Sequence, residues 1–161
     1  MNYDNIVKRT LSRSIINECK IAKVFIIQNI MEEIETTEVQ DDILSNIHTH
    51  NKDYIFVTFW ASWCHFCVEE LPVIQRLFET FNDKINFAIV NCGEDKDYIY
   101  TFLKDRGYSF PVVYDTNGIL TSYYNVKGIP RTLILNKDNS IYKDLVGSKS
   151  FEEWKKIIAA L

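Results

Sequence analysis

The chain has 161 residues, a length that suits one domain and a short extension, with 47% apolar and 25% charged residues. Three prolines and five glycines leave little room for long disordered tracts, and a formal net charge of −4 without a dense basic patch argues against a nucleic-acid partner. Four cysteines, Cys19, Cys64, Cys67 and Cys92, are too few and too unevenly spaced for a disulfide-stapled small fold.

Residues 12–34 place Ile15, Cys19, Ile26, Ile30 and Ile34 at helical spacing and predict an amphipathic helix. The apolar stretch from Ile21 to Met31 is broken by Lys23, Gln28 and Asn29. It is too short and too polar for a spanning helix, which needs about 20 mostly apolar residues. No unbroken apolar region with a small-residue cleavage site is evident either, so the expected location is the cytoplasm and a membrane partner is not expected. Residues 35–40 read as a polar linker, 41–47 as a short helix and 48–52 as a polar turn.

The periodicity then changes. YIFVTFW (54–60) is β-branched and aromatic and predicts a buried strand. From Cys64, the residues Leu71, Ile74, Leu77, Phe78 and Phe81 mark a helix, with Pro72 inside it as an expected kink. INFAIVN (85–91) predicts a second buried strand, and 95–106 a helix closed by Gly107. FPVVYD (110–115) predicts a short strand, followed by a turn at Asn117-Gly118 and a short helical piece. RTLILN (131–136) and SIYKDLVG (140–147) predict a hairpin. Ser150 and Glu153 form a capping-box signature before a last helix. Early alternation of strand and helix implies parallel strands, and the late hairpin implies antiparallel pairing.

The chemistry lies in WCHFC (63–67). Two cysteines separated by two residues, after a buried strand and at the start of a helix, suit a redox pair. The free N–H groups and partial positive charge of the helix start stabilise a thiolate on the first cysteine. The second lies one turn on and is placed to attack a mixed disulfide. Cys64 is thus the candidate nucleophile and Cys67 the resolving thiol. Two other readings stand beside this one. Buried cysteines serve as small hydrophobes. A zinc or copper carrier or sensor would use the same pair, with His65, Cys92, His48 or His50 completing the ligands, although a structural zinc site usually draws on two such pairs. Cys19 and Cys92 read as packing residues, and Trp60 and Trp63 as an aromatic wall around the pair.

WCHFC between FVTFWAS and VEELP, together with FPVVYD and Gly128-Ile129-Pro130, resembles the thioredoxin superfamily and, within it, the ResA/TlpA-like thiol-disulfide oxidoreductases over roughly residues 53–158. The resemblance implies an α/β thioredoxin-like fold, a mixed central β-sheet flanked by helices. Residues 41–161 would form this domain and residues 1–40 an N-terminal helical extension and linker. It implies thiol-disulfide exchange, most simply reduction of a disulfide-containing protein or peptide, with a thiol reductase to recycle the pair and no cofactor beyond the Cys64–Cys67 disulfide. It also implies a cis Ile129-Pro130 bond against the cysteines, the Ile129 backbone facing the disulfide, and a functional glutamate at Glu70.

Three and four residue spacings share a helix face, so Glu70 lies on the side of Cys67 and is expected to handle its proton. Glu94 matches a family position near the site, with substrate selection as its expected role. Trp63, His65, Phe66, Ile129, Pro130 and Glu94 make up the expected substrate-binding set. This chain departs from the family pattern at several places. Thr58 stands where common thioredoxins carry a buried aspartate. His65-Phe66 replaces their Gly-Pro, and a charged His65 would favour the Cys64 thiolate and a more oxidising pair. Arg131 follows the proline where threonine is common, with a thiolate, acidic partners or plain solvent as its possible counterparts.

Overall fold

The computed structural model describes residues 52–161. The expected helices at 12–34 and 41–47, the linker between them, and Cys19, His48 and His50 lie outside the described residues. Nine elements follow in order: β1 (Tyr54–Trp60), α1 (His65–Phe81), β2 (Asn86–Cys92), α2 (Lys96–Lys104), β3 (Val112–Asp115), α3 (Ile119–Tyr123), β4 (Arg131–Asn136), β5 (Ile141–Val146) and α4 (Phe151–Ala159).

They build one mixed sheet in the order β3-β2-β1-β4-β5. β1 pairs in parallel with β2, and β2 with β3; β4 runs antiparallel to both β1 and β5. β1 is central, and this explains its composition: from Ile55 to Trp60 every residue is buried, because both faces are covered. Alternation along the strands divides the core in two. Phe56, Trp60, Phe87, Ile89 and Ile134 point to one face, where Leu71, Ile74 and Leu77 of α1, Ile99 and Leu103 of α2, and Trp154 and Ile158 of α4 cover them. Ile55, Val57, Phe59, Ala88, Val90, Leu133 and Leu135 point to the other, where Leu120 of α3 and the following Tyr124 join them. Each such side chain contributes about 1.5–3 kcal/mol through burial, so the sheet and its helices hold together mainly by these two layers.

The ends of the elements follow local chemistry. α1 is continuous from His65 to Phe81 with Pro72 inside it. α2 starts on the Asp95 side chain, which accepts the Tyr98 N–H. It closes through Gly107, whose φ of +73° turns the chain so that the Tyr108 N–H donates back to the Leu103 carbonyl. β3 begins at Val112 rather than at Phe110, since Pro111 has no N–H to give the ladder, although its carbonyl still accepts from Ile89 N–H at 3.0 Å. Asn139, at φ +65°, makes the β4–β5 turn. The capping box at α4 is complete: the Ser150 side chain accepts from Glu153 N–H, and the Glu153 carboxylate accepts from Ser150 N–H at 2.8 Å.

Candidate active site

Cys64 is the N-cap of α1, with an extended backbone (φ −89°, ψ 106°), and its Sγ accepts the Cys67 N–H at 3.3 Å. Sulfur thus occupies the place that a serine or aspartate oxygen takes at an ordinary helix start. The Cys67 N–H points at it, and the partial positive charge of the helix start favours the thiolate over the thiol. Cys64 and Cys67 are joined as a disulfide with Cα atoms 5.2 Å apart. Cys64 lies at the edge of burial, with 9% of its surface exposed, whereas Cys67 has 1%. Only the first sulfur is therefore open to an incoming disulfide.

The Ile129-Pro130 peptide bond is cis, and the Ile129 carbonyl oxygen lies 3.8 Å from Cys64 Sγ. Sheet topology brings them together. Cys64 follows the C-terminal end of β1, and Pro130 precedes the start of the antiparallel β4, whose Arg131 pairs with Phe59 near that same end. Glu94 arrives from the end of β2. Its carboxylate accepts Ser62 N–H at 2.8 Å, Ser62 Oγ at 2.5 Å and Asn91 Nδ2 at 2.7 Å. Glu94 therefore braces the loop that carries Trp63 and Cys64.

Glu70 is buried, and both of its hydrogen bonds from the described residues end on one oxygen. Oε1 accepts the Trp154 indole N–H at 2.9 Å and the Lys149 backbone N–H at 2.8 Å. Burial pushes the carboxyl above its ordinary value; those two donors and the Lys149 charge pull against it without overcoming it. Cys67 and Glu70 are three apart on the buried side of α1. A carboxyl with a raised pKa there is suited to exchange a proton with a neighbouring thiol. Thr58 is no substitute for it, because its hydroxyl is buried and accepts the Thr132 Oγ1 hydrogen bond at 2.8 Å across β1 and β4.

The surface beside the disulfide is apolar: Trp63 is 72% and Phe66 62% exposed. Trp60 does not share that wall. It lies beneath the surface at 2% exposure, its ring 5.9 Å from that of Phe102. His65 is exposed at the start of α1 and lies 3.2 Å from Glu69 one turn on, so a protonated imidazole has a carboxylate partner on its own helix. Arg131 corrects the expectation placed on it. Its guanidinium grips Asp144 with Nε at 2.8 Å and Nη2 at 2.6 Å, and Nη1 donates to the Asn125 carbonyl at 2.8 Å. It ties β4 to β5 and to the end of α3. Cys92, a free thiol, packs against the second core layer, and burial raises its pKa above the ordinary thiol value.

The structure brings Cys64, Cys67, Ile129 and Pro130 together and places Glu70 on the helix of the pair, whereas Trp154, Lys149 and Ser62 were not singled out in the sequence. Those three are 84, 79 and 32 residues from the carboxylates they hold. Among the described residues no three His, Cys, Asp or Glu side chains are grouped to hold a metal ion, and no helix is long and apolar enough to cross a membrane.

The chain is similar to known proteins. The chain is 32% identical over 95 residues to the thiol-disulfide oxidoreductase ResA of Bacillus subtilis (strain 168), a match covering 58% of this chain and 53% of that protein. It is 31% identical over 101 residues to the sporulation thiol-disulfide oxidoreductase A of the same strain, covering 60% of this chain and 61% of that protein. The chain thus spans between half and two-thirds of the length of these two curated relatives. The crystal structure of StoA from Bacillus subtilis superposes with a TM-score of 0.61 at 30% identity, over 66% of this chain and 83% of that one. The exposed lipoprotein thioredoxin of Streptococcus pneumoniae strain TIGR4 shares the fold with a TM-score of 0.64 at 21% identity, over 71% of this chain and 90% of that one. A family model described as thioredoxin-like matches residues 51–141. With the mixed sheet, the cysteine pair at the start of α1 and the proline opposite it, this match shows that the chain belongs to the thioredoxin-like family.

Proposed function

We propose that this protein is a thiol-disulfide oxidoreductase that reduces disulfides in proteins or peptides. One observation carries the reading: a half-shielded disulfide at a helix start, with its outer sulfur capped by a backbone N–H and its inner sulfur enclosed. The named activity of ResA and of the sporulation oxidoreductase supports it.

In the reduced protein the Cys64 thiolate attacks one sulfur of the substrate disulfide. The substrate S–S bond breaks, a mixed disulfide forms at Cys64, and one substrate thiolate leaves and takes a proton from solvent. Cys67 then gives its proton to Glu70 and attacks Cys64 Sγ. The mixed disulfide breaks, and the second substrate thiolate leaves and takes a proton in turn. The substrate has gained two electrons and the pair is again a disulfide. Trp63 and Phe66 offer apolar area to a polypeptide substrate, and the Ile129 backbone borders the reacting sulfur. A second thiol protein must reduce the pair for the next turnover.

Reduction of insulin by the dithiol protein tests this reading. The wild-type protein releases the insulin chains. Cys64→Ser lowers the rate at least about a hundredfold, because no other described thiol lies at a helix start. Cys67→Ser accumulates a Cys64-linked mixed disulfide detectable by mass. Undiminished reduction by Cys64→Ser would exclude the mechanism.

A further inference from the structure

Glu70 is reached from the far end of the chain. The β5–α4 connection supplies the Lys149 backbone N–H, and α4 supplies the indole of Trp154; both bonds end on Oε1. No hydrogen bond from the described residues ends on Oε2. An oxygen already filled by two donors is a poor place for a proton, since protonation there would set three hydrogens around one atom. The carboxyl is therefore chemically asymmetric. Trp154 itself is fixed: it is fully buried, its ring meets that of Phe56 edge-on at 5.0 Å, and the Lys149 ammonium lies 5.2 Å from its ring centre.

We propose that Trp154 is a positioning residue for the resolving step: its indole N–H, with the Lys149 amide, pins Oε1 of Glu70 and leaves Oε2 to exchange the proton with Cys67. This inference rests on the exchange reaction proposed above. In the step it serves, the Cys67 S–H bond breaks, the proton goes to Oε2, and the freed electron pair forms the bond to Cys64 Sγ as the substrate thiolate leaves. Other charged groups around Glu70 have partners of their own. The Lys149 ammonium donates to the carbonyls of Val146 and Gly147, Glu153 of α4 is held by Ser150, and Asp144 of β5 is held by Arg131. On α1, Cys67 is the titrating neighbour and Glu69 turns to His65.

The test uses the reduced full chain and a symmetric aromatic disulfide. The first coloured thiolate reports attack by Cys64, and the second reports resolution by Cys67. Trp154→Phe keeps an aromatic ring against Phe56 and removes the donor. It should move the pH midpoint of the second release upward by about one to two units, the shift that follows loss of a hydrogen bond to a charged group. The first release should keep its profile. Glu70→Gln should abolish that inflection, and Trp154→Phe added to it should change nothing further.

An unmoved second midpoint in Trp154→Phe, where Glu70→Gln does alter the profile, overturns the role of Trp154 alone. An unaltered profile in Glu70→Gln overturns it through its premise, and a wild-type protein with no second release overturns the exchange reading itself. A measurement on the unsubstituted protein stands even where the variant fails to fold. The Trp154 indole N–H resonance should titrate with the Glu70 carboxyl, and a resonance that stays fixed across pH contradicts the proposal.

Discussion

Two carboxylates are buried among the described residues, and they do different work. Asp115 spends both oxygens on the N–H groups of Leu120 and Thr121 and on the Thr121 hydroxyl, and so starts α3. The hydrogen bonds that Glu70 accepts from the described residues all end on one oxygen, and burial raises its pKa. A raised carboxyl pKa favours the protonated fold, so its contribution to stability is complete below the unfolded value and is lost as pH rises through the folded one. Glu70→Gln, which cannot ionise, should therefore melt above the wild type at neutral pH. The gap should close in melts below the ordinary glutamate range. The same substitution should slow resolution about a hundredfold, the low side of a positioned proton acceptor's worth. At the surface, Trp63→Ala should raise KM for a protein disulfide about tenfold, as loss of an exposed aromatic anchor does, and leave both the melting point and the rate with a small disulfide unchanged. Competing alkylation of the reduced protein should label Cys64 well before Cys92, whose thiol burial keeps protonated.

At the scale of elements, α1 and the β4–β5 hairpin carry the site, and their local chemistry sets how firmly. Arg131 closes two bonds to Asp144 and reaches the carbonyls of Tyr124 and Asn125. Asp144 is well exposed, so solvent discounts the ion pair and the two backbone acceptors matter as much. Arg131→Ala should cost about 1–2 kcal/mol in urea unfolding. It should leave the reduction potential unaltered, since the guanidinium charge is held by Asp144. Ser150→Ala should cost about 1 kcal/mol through the lost cap. Elements with strong local signals were legible in the residues: the Ser150–Glu153 box, the Gly107 helix end and the strand-to-helix placement of Cys64 are decided within a few positions. Arg131 was not, because its partner Asp144 faces it only through the hairpin register. Glu70 was legible by its spacing from Cys67, whereas its two donors depend on how α4 packs on α1, which no local pattern encodes. Glu94 was visible as a position near the site, but its hold on Ser62 needs the parallel pairing of β1 with β2.

The described domain gathers these pieces at one end of its sheet. Parallel strands β1 and β2 end there and deliver Cys64 and Glu94, and the antiparallel β4 begins there and delivers Ile129 and Pro130. Loops at the ends of parallel strands are where α/β sheets hold their chemistry. α4, the last element, packs on α1 and brings Trp154 to Glu70 at the resolving side of the pair. The opposing influences on redox poise are also global. The start of α1 and a protonated His65 favour the Cys64 thiolate and thus oxidising behaviour, whereas Glu69 offsets the imidazole charge. The reduction potential of the Cys64–Cys67 pair, equilibrated in dithiothreitol buffers, decides between them. A reductase predicts a value near or below that of thioredoxin, about −270 mV. A value near about −120 mV, that of a strong disulfide donor, would contradict it.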